Sequence, residues 1–203
     1  MKVDILIDKS YFLGMAKPSD SKARTIMAAA QLFRRQGYHG TALHDILDAG
    51  GSPRGSLYFH FPKGKEQIGE AALDFVAERA REAIAKAAET SQSVEGFLTR
   101  VVEHMAAELE RSGYKEGCPV ATVALDTAAQ SDVLAAAARG AFQLWERELQ
   151  RGLEHFGMAP AKAECVATMV LSQLEGALLL ARTYRSLEPI RRAGEAVKLL
   201  AGV

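Results

Sequence analysis

The sequence predicts an all-α protein, and three observations support this prediction. The segments between turn signals are rich in Ala, Leu, Glu, Arg and Gln, which favour helices. No run of alternating β-branched residues, which would favour a strand, competes with them. All six prolines stand where a helix could start, so none of them interrupts an apolar pattern of helical spacing.

Composition and charge narrow the range of functions. At 203 residues and 48% apolar composition, the chain is long enough to bury a real core. The net charge is zero, but residues 1–65 carry ten Lys and Arg against five Asp and Glu, whereas residues 66–203 carry fifteen against twenty. A basic N-terminal part on an acidic remainder suits a protein that touches nucleic acid at one end only.

Three short helices are predicted near the N-terminus. The first covers about residues 21–36 and ends at Gly37, a residue type that favours the turn after a helix. The second has Thr41 as its predicted N-cap, and the third follows a glycine turn. Three helices of this size can close a small core, for which the candidate residues are Ile26, Phe33, Leu43, Leu47, Leu57 and Phe61.

The third helix has the pattern of a DNA-recognition helix. Gly50 and Gly51 allow a tight turn, Ser52 is predicted to cap the helix, and Pro53 suits its first position. Two short helices joined by a glycine turn, over about residues 41–61, make a helix-turn-helix. Leu57 is predicted to face inward, whereas the residues predicted to face outward are Arg54, Gly55, Ser56, Tyr58 and His60.

These segments resemble the N-terminal signature of the TetR family of one-component transcriptional regulators. In that signature a helix is followed by G-Y-x-x-T, a short helix, a glycine turn, and a recognition helix that ends in L-Y-x-H-F before a lysine. The corresponding segments here are residues 37–41 and 57–61, followed by Lys63 and Lys65. The resemblance covers about 45 consecutive residues. It implies a homodimer that binds a palindromic operator in double-stranded DNA.

Base contacts are expected from the start of the third helix. Arg54 is the best candidate for reading a base, because its planar guanidinium can bond O6 and N7 of guanine together. Gly55 would let the helix approach the groove closely. Ser56 can bond either a base edge or the DNA backbone.

Phosphate contacts follow from the family resemblance, which assigns them to Thr41, Tyr58 and His60 and to a lysine at the start of the next helix. Because the segment between Phe61 and that helix is one residue longer than usual, it is open whether Lys63 or Lys65 takes the phosphate. The candidate DNA-binding residues are thus Thr41, Ser52, Arg54, Gly55, Ser56, Tyr58, His60, Lys63 and Lys65.

The chain is expected to have three parts. Residues 1–18 match nothing in the family signature and are either a flexible extension or an artefact of the start site, with Met15 a plausible initiator. Residues 19–66 are the expected DNA-binding domain, and residues 67–203 the expected ligand-binding and dimerisation domain. The predicted helices after the helix-turn-helix cover residues 65–89, 94–111, 119–129, 132–156, 160–186 and 189–201.

A second resemblance concerns the larger domain. Residues 117–125 and 175–182 are similar to the LmrA/YxaF-type subgroup, which implies repression that responds to a drug, a flavonoid or another aromatic molecule. The helix at 160–186 is apolar nearly all round and the helix at 189–201 along one stripe, so both must be covered. We expect these two helices to form the homodimer interface; the alternative is that both are buried within the monomer.

The aromatic and methionine residues of the larger domain suit an adaptable apolar pocket. We expect a small, apolar or aromatic effector and no cofactor, with the indole N–H of Trp145 and the amide of Gln173 as polar contacts. The bound effector would favour a shape in which the recognition helices of the dimer no longer fit the operator. The candidate effector-binding residues are Phe97, Val101, Met105, Phe142, Trp145, Met169 and Gln173.

Other functional classes have less support. Catalysis is not expected, because His104 and His155 lie on separate helices without a recognisable triad, and two cysteines 47 positions apart give no metal-ligand spacing. A thiol sensor is an alternative, since Cys118 stands at a predicted helix start. A helical adaptor that no longer binds DNA is another. No stretch is expected to reach the ~20 apolar residues of a membrane span, so a cytoplasmic protein without a membrane partner is predicted.

Overall fold

The computed structural model describes residues 20–203, except for the side chains of Arg54 and Ser56. Every regular element in this range is a helix, which confirms the all-α prediction. The expected extension at residues 1–18 lies outside the described residues. The helices are α1 (Ser21–Gln36), α2 (Leu43–Gly50), α3 (Arg54–His60), α4 (Lys65–Glu89), α5 (Val94–Arg111), α6 (Pro119–Thr127), α7 (Asp132–His155), α8 (Pro160–Tyr184) and α9 (Glu188–Ala201).

Most helix ends have a local cause that is visible in the sequence. The side chain of Asp20 accepts a hydrogen bond from the backbone N–H of Lys22 and so caps α1, and Gly37 ends that helix with a φ of 77°. Ser93 caps α5 by accepting from the N–H of Gly96. The predicted bounds of α1, α4 and α5 coincide with the observed ones, because these caps stand next to long periodic segments.

Two predicted caps are wrong. The N-cap of α2 is Ala42 instead of Thr41, and the carboxylate of Asp45 accepts the Ala42 N–H at 3.1 Å. The N-cap of α3 is Pro53, which was expected at the first helical position, and no side chain caps this helix. Ser52 does not cap α3 because its hydroxyl is turned toward α1, where it donates to the backbone O of Ser21.

The described residues divide into two compact units. The N-terminal unit comprises the residues up to Val76 together with Pro119–Ala138, and the C-terminal unit comprises Ala77–Cys118 and Arg139–Val203. The N-terminal unit therefore extends beyond the expected domain of residues 19–66. It includes the first half of α4 and the whole of α6, because α6 packs against α1.

The core of the N-terminal unit forms around α1. Phe33, Leu47, Leu57 and Phe61 are buried as predicted, and Ile46 joins them. Ile26 and Leu43, which were also predicted to be core residues, are only partly buried. Their place is taken by small residues of α1, which let the neighbouring helices approach closely, namely Ala28, Ala29 and Ala30.

The C-terminal unit is built on α8, which packs against α5 and α9. Its buried face includes Val170 and Leu174, and they contact the same apolar core as Phe97, Ile190 and Val197. The i, i+4 spacing of the buried α8 residues shows that one face of this helix is directed into the unit.

The length and composition of α8 correct one expectation from the sequence. It is long and apolar enough to cross a membrane, with a mean hydropathy of 1.4 over an 18-residue window. A single helix of this kind is weak evidence for a membrane span, since a core helix of a soluble protein has the same composition. The packing of its inner face within the C-terminal unit accounts for part of its apolar character.

Candidate nucleic-acid interface

The helix α3 is held by two buried side chains, and three of its other residues, Gly55, Tyr58 and Phe59, are exposed. Leu57 and Phe61 lie four residues apart and are both buried, so they fix one face of the helix against the N-terminal unit. Tyr58 is 67% exposed, and beyond the Cα of Gly55 there is open space. The sequence assigned both residues to the DNA-facing surface, and their placement is compatible with that role.

Arg54 and Ser56 belong to the first two turns of α3 by their backbone. Their side chains lie outside the described part of the structure. Their predicted contacts with bases therefore stay predictions, supported by the position of the helix start.

Phe59 is an exposed aromatic residue that was not among the predicted contacts. Its side chain is 83% exposed, and its ring lies 5.0 Å from the ring of His60. An apolar side chain on a recognition helix can contact the methyl group of thymine. A signal was present in the sequence, because Leu57 and Phe61 define the inward face and Phe59 stands between them, turned away from it.

Two of the predicted contact residues help to hold α3 against α1. The Nε2 atom of His60 lies 3.1 Å from the hydroxyl of Ser21, and His60 is only partly exposed. Ser52 is buried, and its hydroxyl accepts a hydrogen bond from that of Thr25 at 2.8 Å. The expected DNA contact of Ser52 therefore does not fit this structure, because its hydroxyl is directed into the protein.

Thr41 is also placed differently from the expectation. Its side chain is fully buried, and its hydroxyl donates to the backbone O of Gly37 at 2.6 Å. The amide of Gln36 donates to the same hydroxyl at 3.4 Å. Since these bonds occupy the hydroxyl inside the protein, Thr41 shapes the turn before α2 and does not face a phosphate here.

The two candidate lysines have different surroundings. Lys63 is exposed at the surface between α3 and α4. The Nζ atom of Lys65 donates to the backbone O of Tyr38 at 2.6 Å and lies 4.1 Å from the centre of the Tyr38 ring. Burial lowers the pKa of Lys65, and the carboxylate of Asp126 opposes this shift. The geometry thus favours Lys63 as the residue available to a phosphate.

The predicted effector-binding residues do not form one group. Phe97 is fully buried, with its ring centre 6.2 Å from that of Phe156, and Val101 and Met105 pack against the same core. Phe142 and Trp145 lie with ring centres 5.6 Å apart. Both residues of this second pair lie on α7, and neither belongs to the core cluster that contains Phe97.

The expected polar contacts of the effector are not available as predicted. The indole N–H of Trp145 already donates to the backbone O of Ala77 at 2.9 Å. Met169 and Gln173 lie on the exposed face of α8, because the buried face of that helix is occupied by residues such as Val170 and Leu174. Neither of these two side chains is therefore directed into the core that holds Phe97.

Glu175 is a partly buried acid that the sequence reasoning missed. Burial raises the pKa of its carboxyl group, while a hydrogen bond with Cys118 acts in the opposite direction. The signal in the sequence was that Glu175 is the sole charged residue between Cys165 and Ala181, in the long apolar segment of α8. The C-terminal unit thus contains an ionisable group that could respond to the charge of a bound molecule.

Comparisons with known proteins agree with this architecture. Residues 26–72 match the family described as bacterial regulatory proteins, tetR family, and residues 93–196 match the transcriptional regulator LmrA/YxaF-like C-terminal domain. The chain is 32% identical over 171 residues to the HTH-type transcriptional regulator LmrA of Bacillus subtilis (strain 168), covering 84% of this chain and 91% of the relative.

Two further proteins are similar over most of the chain. The HTH-type transcriptional regulator YxaF of the same organism is 28% identical over 186 residues, covering 92% of this chain and 97% of the relative. The crystal structure of a TetR transcriptional regulator from Legionella pneumophila has a TM-score of 0.80 at 22% identity, covering 91% of this chain and 98% of that one. The likeness to this crystal structure shows that the two proteins share a fold.

The two family matches confirm both resemblances inferred from the motifs. Members of this family bind DNA, typically dimerise and are not enzymes. The helix-turn-helix within the first match and the helical unit within the second place this chain in the TetR family of DNA-binding transcriptional regulators, with an LmrA/YxaF-like C-terminal domain.

Proposed function

We propose that this protein is a dimeric repressor that binds a palindromic operator and is released from it by a small molecule. The observation that carries the proposal is the exposed face of α3, where Gly55, Tyr58 and Phe59 face solvent while Leu57 and Phe61 anchor the helix. A rigid helix with such a face fits the major groove. The net positive charge of residues 1–65 favours approach to phosphates.

Individual roles on the DNA follow from this placement. Arg54 and Ser56 at the start of α3 would read base edges, and Phe59 would add an apolar contact. Tyr58 and Lys63 are exposed on either side of Phe61 and would bind phosphates. These contacts would set the register of the helix in the groove without reading the sequence themselves.

Dimerisation would use the outer faces of α8 and α9. Leu179, Leu180 and Tyr184 of α8 are exposed, as are Leu199 and Leu200 of α9. Exposed apolar side chains on two helices that pack against each other form the kind of patch that marks a protein interface. A twofold partner would cover this patch and place two copies of α3 on the same side of the DNA.

The effector is proposed to be small and apolar or aromatic. The aromatic and methionine side chains of the C-terminal unit favour such a ligand, and Phe142, Val101 and Met105 are only partly buried. The effector would bind the released shape more tightly than the DNA-bound shape, so that effector and operator weaken each other's binding. A cytoplasmic location, without a membrane partner, is part of the same proposal.

A thiol sensor is the second candidate function, since Cys118 directly precedes α6 as predicted. Its side chain forms a hydrogen bond with the carboxyl group of Glu175. A carboxyl group does not stabilise a thiolate as a neighbouring cation would. The geometry therefore favours a ligand-responsive protein over a thiol-responsive one, and retained regulation in a Cys118→Ala variant would exclude the thiol role.

Selection of DNA from a random pool tests the proposed function. The full-length protein is expected to enrich duplexes with a palindrome whose half-sites are about one helical turn or a multiple apart. Sedimentation should show a dimer on such a duplex. Enrichment of no sequence, or a monomer on DNA, would contradict the proposal, and unaltered operator binding by an Arg54→Ala variant would favour the adaptor alternative.

A further inference from the structure

The glycine turn between α2 and α3 is fastened to α1 by a guanidinium group. The Nε atom of Arg24 donates to the backbone O of Gly50 at 3.0 Å, and its Nη2 atom donates to the backbone O of Gly51 at 3.4 Å. The last carbonyls of a helix have no partner within that helix and need donors from elsewhere. One planar side chain of α1 thus supplies donors to two consecutive carbonyls at the end of α2.

Gly50 lets the turn approach α1 closely enough for these bonds. A Cβ atom built on Gly50 would lie 3.1 Å from the backbone O of Arg24 and 3.3 Å from the Cα atom of Thr25. Both distances are shorter than ordinary van der Waals contact, and both neighbours are main-chain atoms, which cannot turn aside as a flexible side chain can. Any side chain at this position would therefore push the turn away from α1 and lengthen the bonds of Arg24.

A chain of hydroxyl groups fastens the next residue of the turn. The hydroxyl of Thr25 donates to that of Ser52 at 2.8 Å, and the hydroxyl of Ser52 donates to the backbone O of Ser21 at 3.2 Å. Thr25 and Ser52 are both buried, so water does not compete for these bonds. Three consecutive residues before α3, 50–52, are thus hydrogen-bonded to α1.

The apolar and the polar contacts of α3 constrain different motions. Leu57 and Phe61 fix which face of the helix is directed inward, but apolar contact is not directional. Hydrogen bonds depend on distance and angle, so the bonds to residues 50–52 fix how far the start of α3 lies from α1. Side chains that read base edges must be held within about 0.5 Å of the productive position. The polar groups of α1 are suited to supply this precision.

We propose that Arg24 is a positioning residue that sets the sequence specificity of DNA binding. Its guanidinium group holds the α2–α3 turn at the distance from α1 at which the start of α3 meets base edges. The inference rests on the proposed reading of the operator by α3, and it assigns the precision of that reading to a residue outside the helix-turn-helix. Loss of the two bonds displaces the base-reading residues, whereas long lysine side chains still reach phosphates.

The test compares the affinity of the full-length protein for two duplexes of the same length and base composition. One is a duplex that the wild type selects from a random pool, and the other is a shuffled version of it. The ratio of the two association constants measures specificity, because non-specific phosphate contacts contribute to both. Titrations at several salt concentrations also give the salt slope, which reports the number of phosphate contacts.

Arg24→Lys keeps the positive charge but replaces the planar fork by a single point of attachment. We expect the specificity ratio to fall by about tenfold, which is in the range that one good base contact provides. The affinity for the shuffled duplex and its salt slope should stay at the wild-type values, because the charge is retained. Arg100→Lys makes the same replacement at an exposed arginine of α5 and is the matched control, with a wild-type ratio.

Two further variants displace the turn while the guanidinium group of Arg24 stays in place. Gly50→Ala inserts a Cβ atom between the turn and α1, and Thr25→Val removes the hydroxyl that donates to Ser52. Both should lower the specificity ratio, although neither removes a charge. Thr25→Ser keeps the hydroxyl and should keep the wild-type ratio, which separates the hydrogen bond from general packing.

Three results would overturn the positioning role. A wild-type ratio in Arg24→Lys would show that the fork is not needed. An equal loss of affinity for both duplexes would show a loss of folded protein or of a phosphate contact. A lower ratio in Arg24→Lys alone, with wild-type ratios in Gly50→Ala and Thr25→Val, would show that Arg24 reads a base itself.

Failure of the proposed function gives a different result from failure of the positioning role. A wild type that selects no duplex contradicts the reading of an operator, and the positioning role is lost with it. A wild type that selects a duplex, with variants that keep its specificity ratio, overturns the positioning role alone.

Discussion

Lys63 and Lys65 are separated by one glycine, and their surroundings give them different roles. The side chain of Lys65 is used inside the N-terminal unit, where it holds the carbonyl of Tyr38. Lys63 faces solvent. The sequence could not distinguish them, because both positions satisfy the family signature and only the position of the α1–α2 turn decides which lysine is occupied.

Replacing Lys63 with Ala is expected to weaken operator binding without changing sequence preference. The slope of the logarithm of the DNA association constant against the logarithm of the salt concentration should become less negative by about 2 for the dimer. The reason is that each of the two subunits loses one phosphate contact. Titrations of the selected duplex over a range of salt concentrations measure this slope. Lys115→Ala, which removes an exposed lysine of the C-terminal unit, should leave the slope unchanged.

Glu175 should make stability depend on pH. Because burial raises its folded-state pKa, folding favours the protonated form, and the associated stability is present below the ordinary pKa of 4.5 and is lost as pH rises through the raised value. Glu175→Gln removes this loss, so the variant should be more stable than the wild type at neutral pH. Each unit by which the pKa is raised lowers the free energy of unfolding at neutral pH by about 1.4 kcal/mol.

Urea denaturation of both proteins between pH 4 and 8, taken as roughly the window of carboxylate titration, checks this expectation. Glu164→Gln alters an exposed acid of the same helix and is the matched control. Equal pH profiles for Glu175→Gln and the wild type would show that the carboxyl group is ionised at no cost.

The hydroxyl groups of Thr41 and Ser52 could not be placed correctly from the sequence. Thr41 and Ser52 were expected to face DNA, yet each hydroxyl bonds to a backbone carbonyl of α1 or of the turn after it. A hydroxyl is small enough to be buried with two hydrogen-bond partners, and those partners become neighbours only once the turn or the helix packing has formed. Phe59 could be placed from the sequence because large side chains follow helical periodicity.

At the scale of the helices, the sequence was informative because turns and caps stand next to long apolar patterns. The helices that follow the helix-turn-helix, α4 to α9, were predicted to within two residues at each end. Packing between helices was not predictable in the same way. Gly152 and Gly140 both lie on α7, for example, but only Gly152 faces a buried aromatic ring, that of Phe97.

These two glycines should respond oppositely to alanine. A Cβ atom on Gly152 would lie 2.4 Å from the Phe97 ring, so Gly152→Ala should lower the free energy of unfolding by about 1–3 kcal/mol through overpacking. Nothing lies within 4 Å of a Cβ on Gly140, so Gly140→Ala should raise it by about 0.5–1 kcal/mol through helix propensity. Thermal or urea unfolding compares the pair, and changes of the same sign would contradict the packing described for α7.

At the scale of the whole molecule, charge and apolar surface are separated along the chain. The excess of positive charge lies in residues 1–65, and the exposed leucines of α8 and α9 lie in the C-terminal unit. The charge separation was visible in the sequence. The apolar patch was predicted in outline, since α8 had more apolar residues than one buried face could use.

Leu180→Glu is expected to weaken the dimer by about 2 kcal/mol or more, which is roughly a 30-fold higher dissociation constant. Operator binding should fall with it, because the operator requires two copies of α3. Sedimentation equilibrium measures the dimer, and DNA titration at fixed protein concentration measures the operator. Leu125→Glu places the same charge on another exposed leucine, on α6, and should leave the dimer intact; monomers formed by both variants would count against the α8–α9 interface.

The discontinuity of the N-terminal unit has a consequence for biosynthesis. Asp126 and Gln130 are translated long after Tyr38 and His39, which they bind in the turn between α1 and α2. While the nascent chain ends before residue 126, the backbone N–H groups of Tyr38 and His39 have only water as a partner, and the helix-turn-helix lacks one of its supports. Synthesis therefore completes the contacts of this turn only after the first segment of the C-terminal unit, residues 77–118, has been translated.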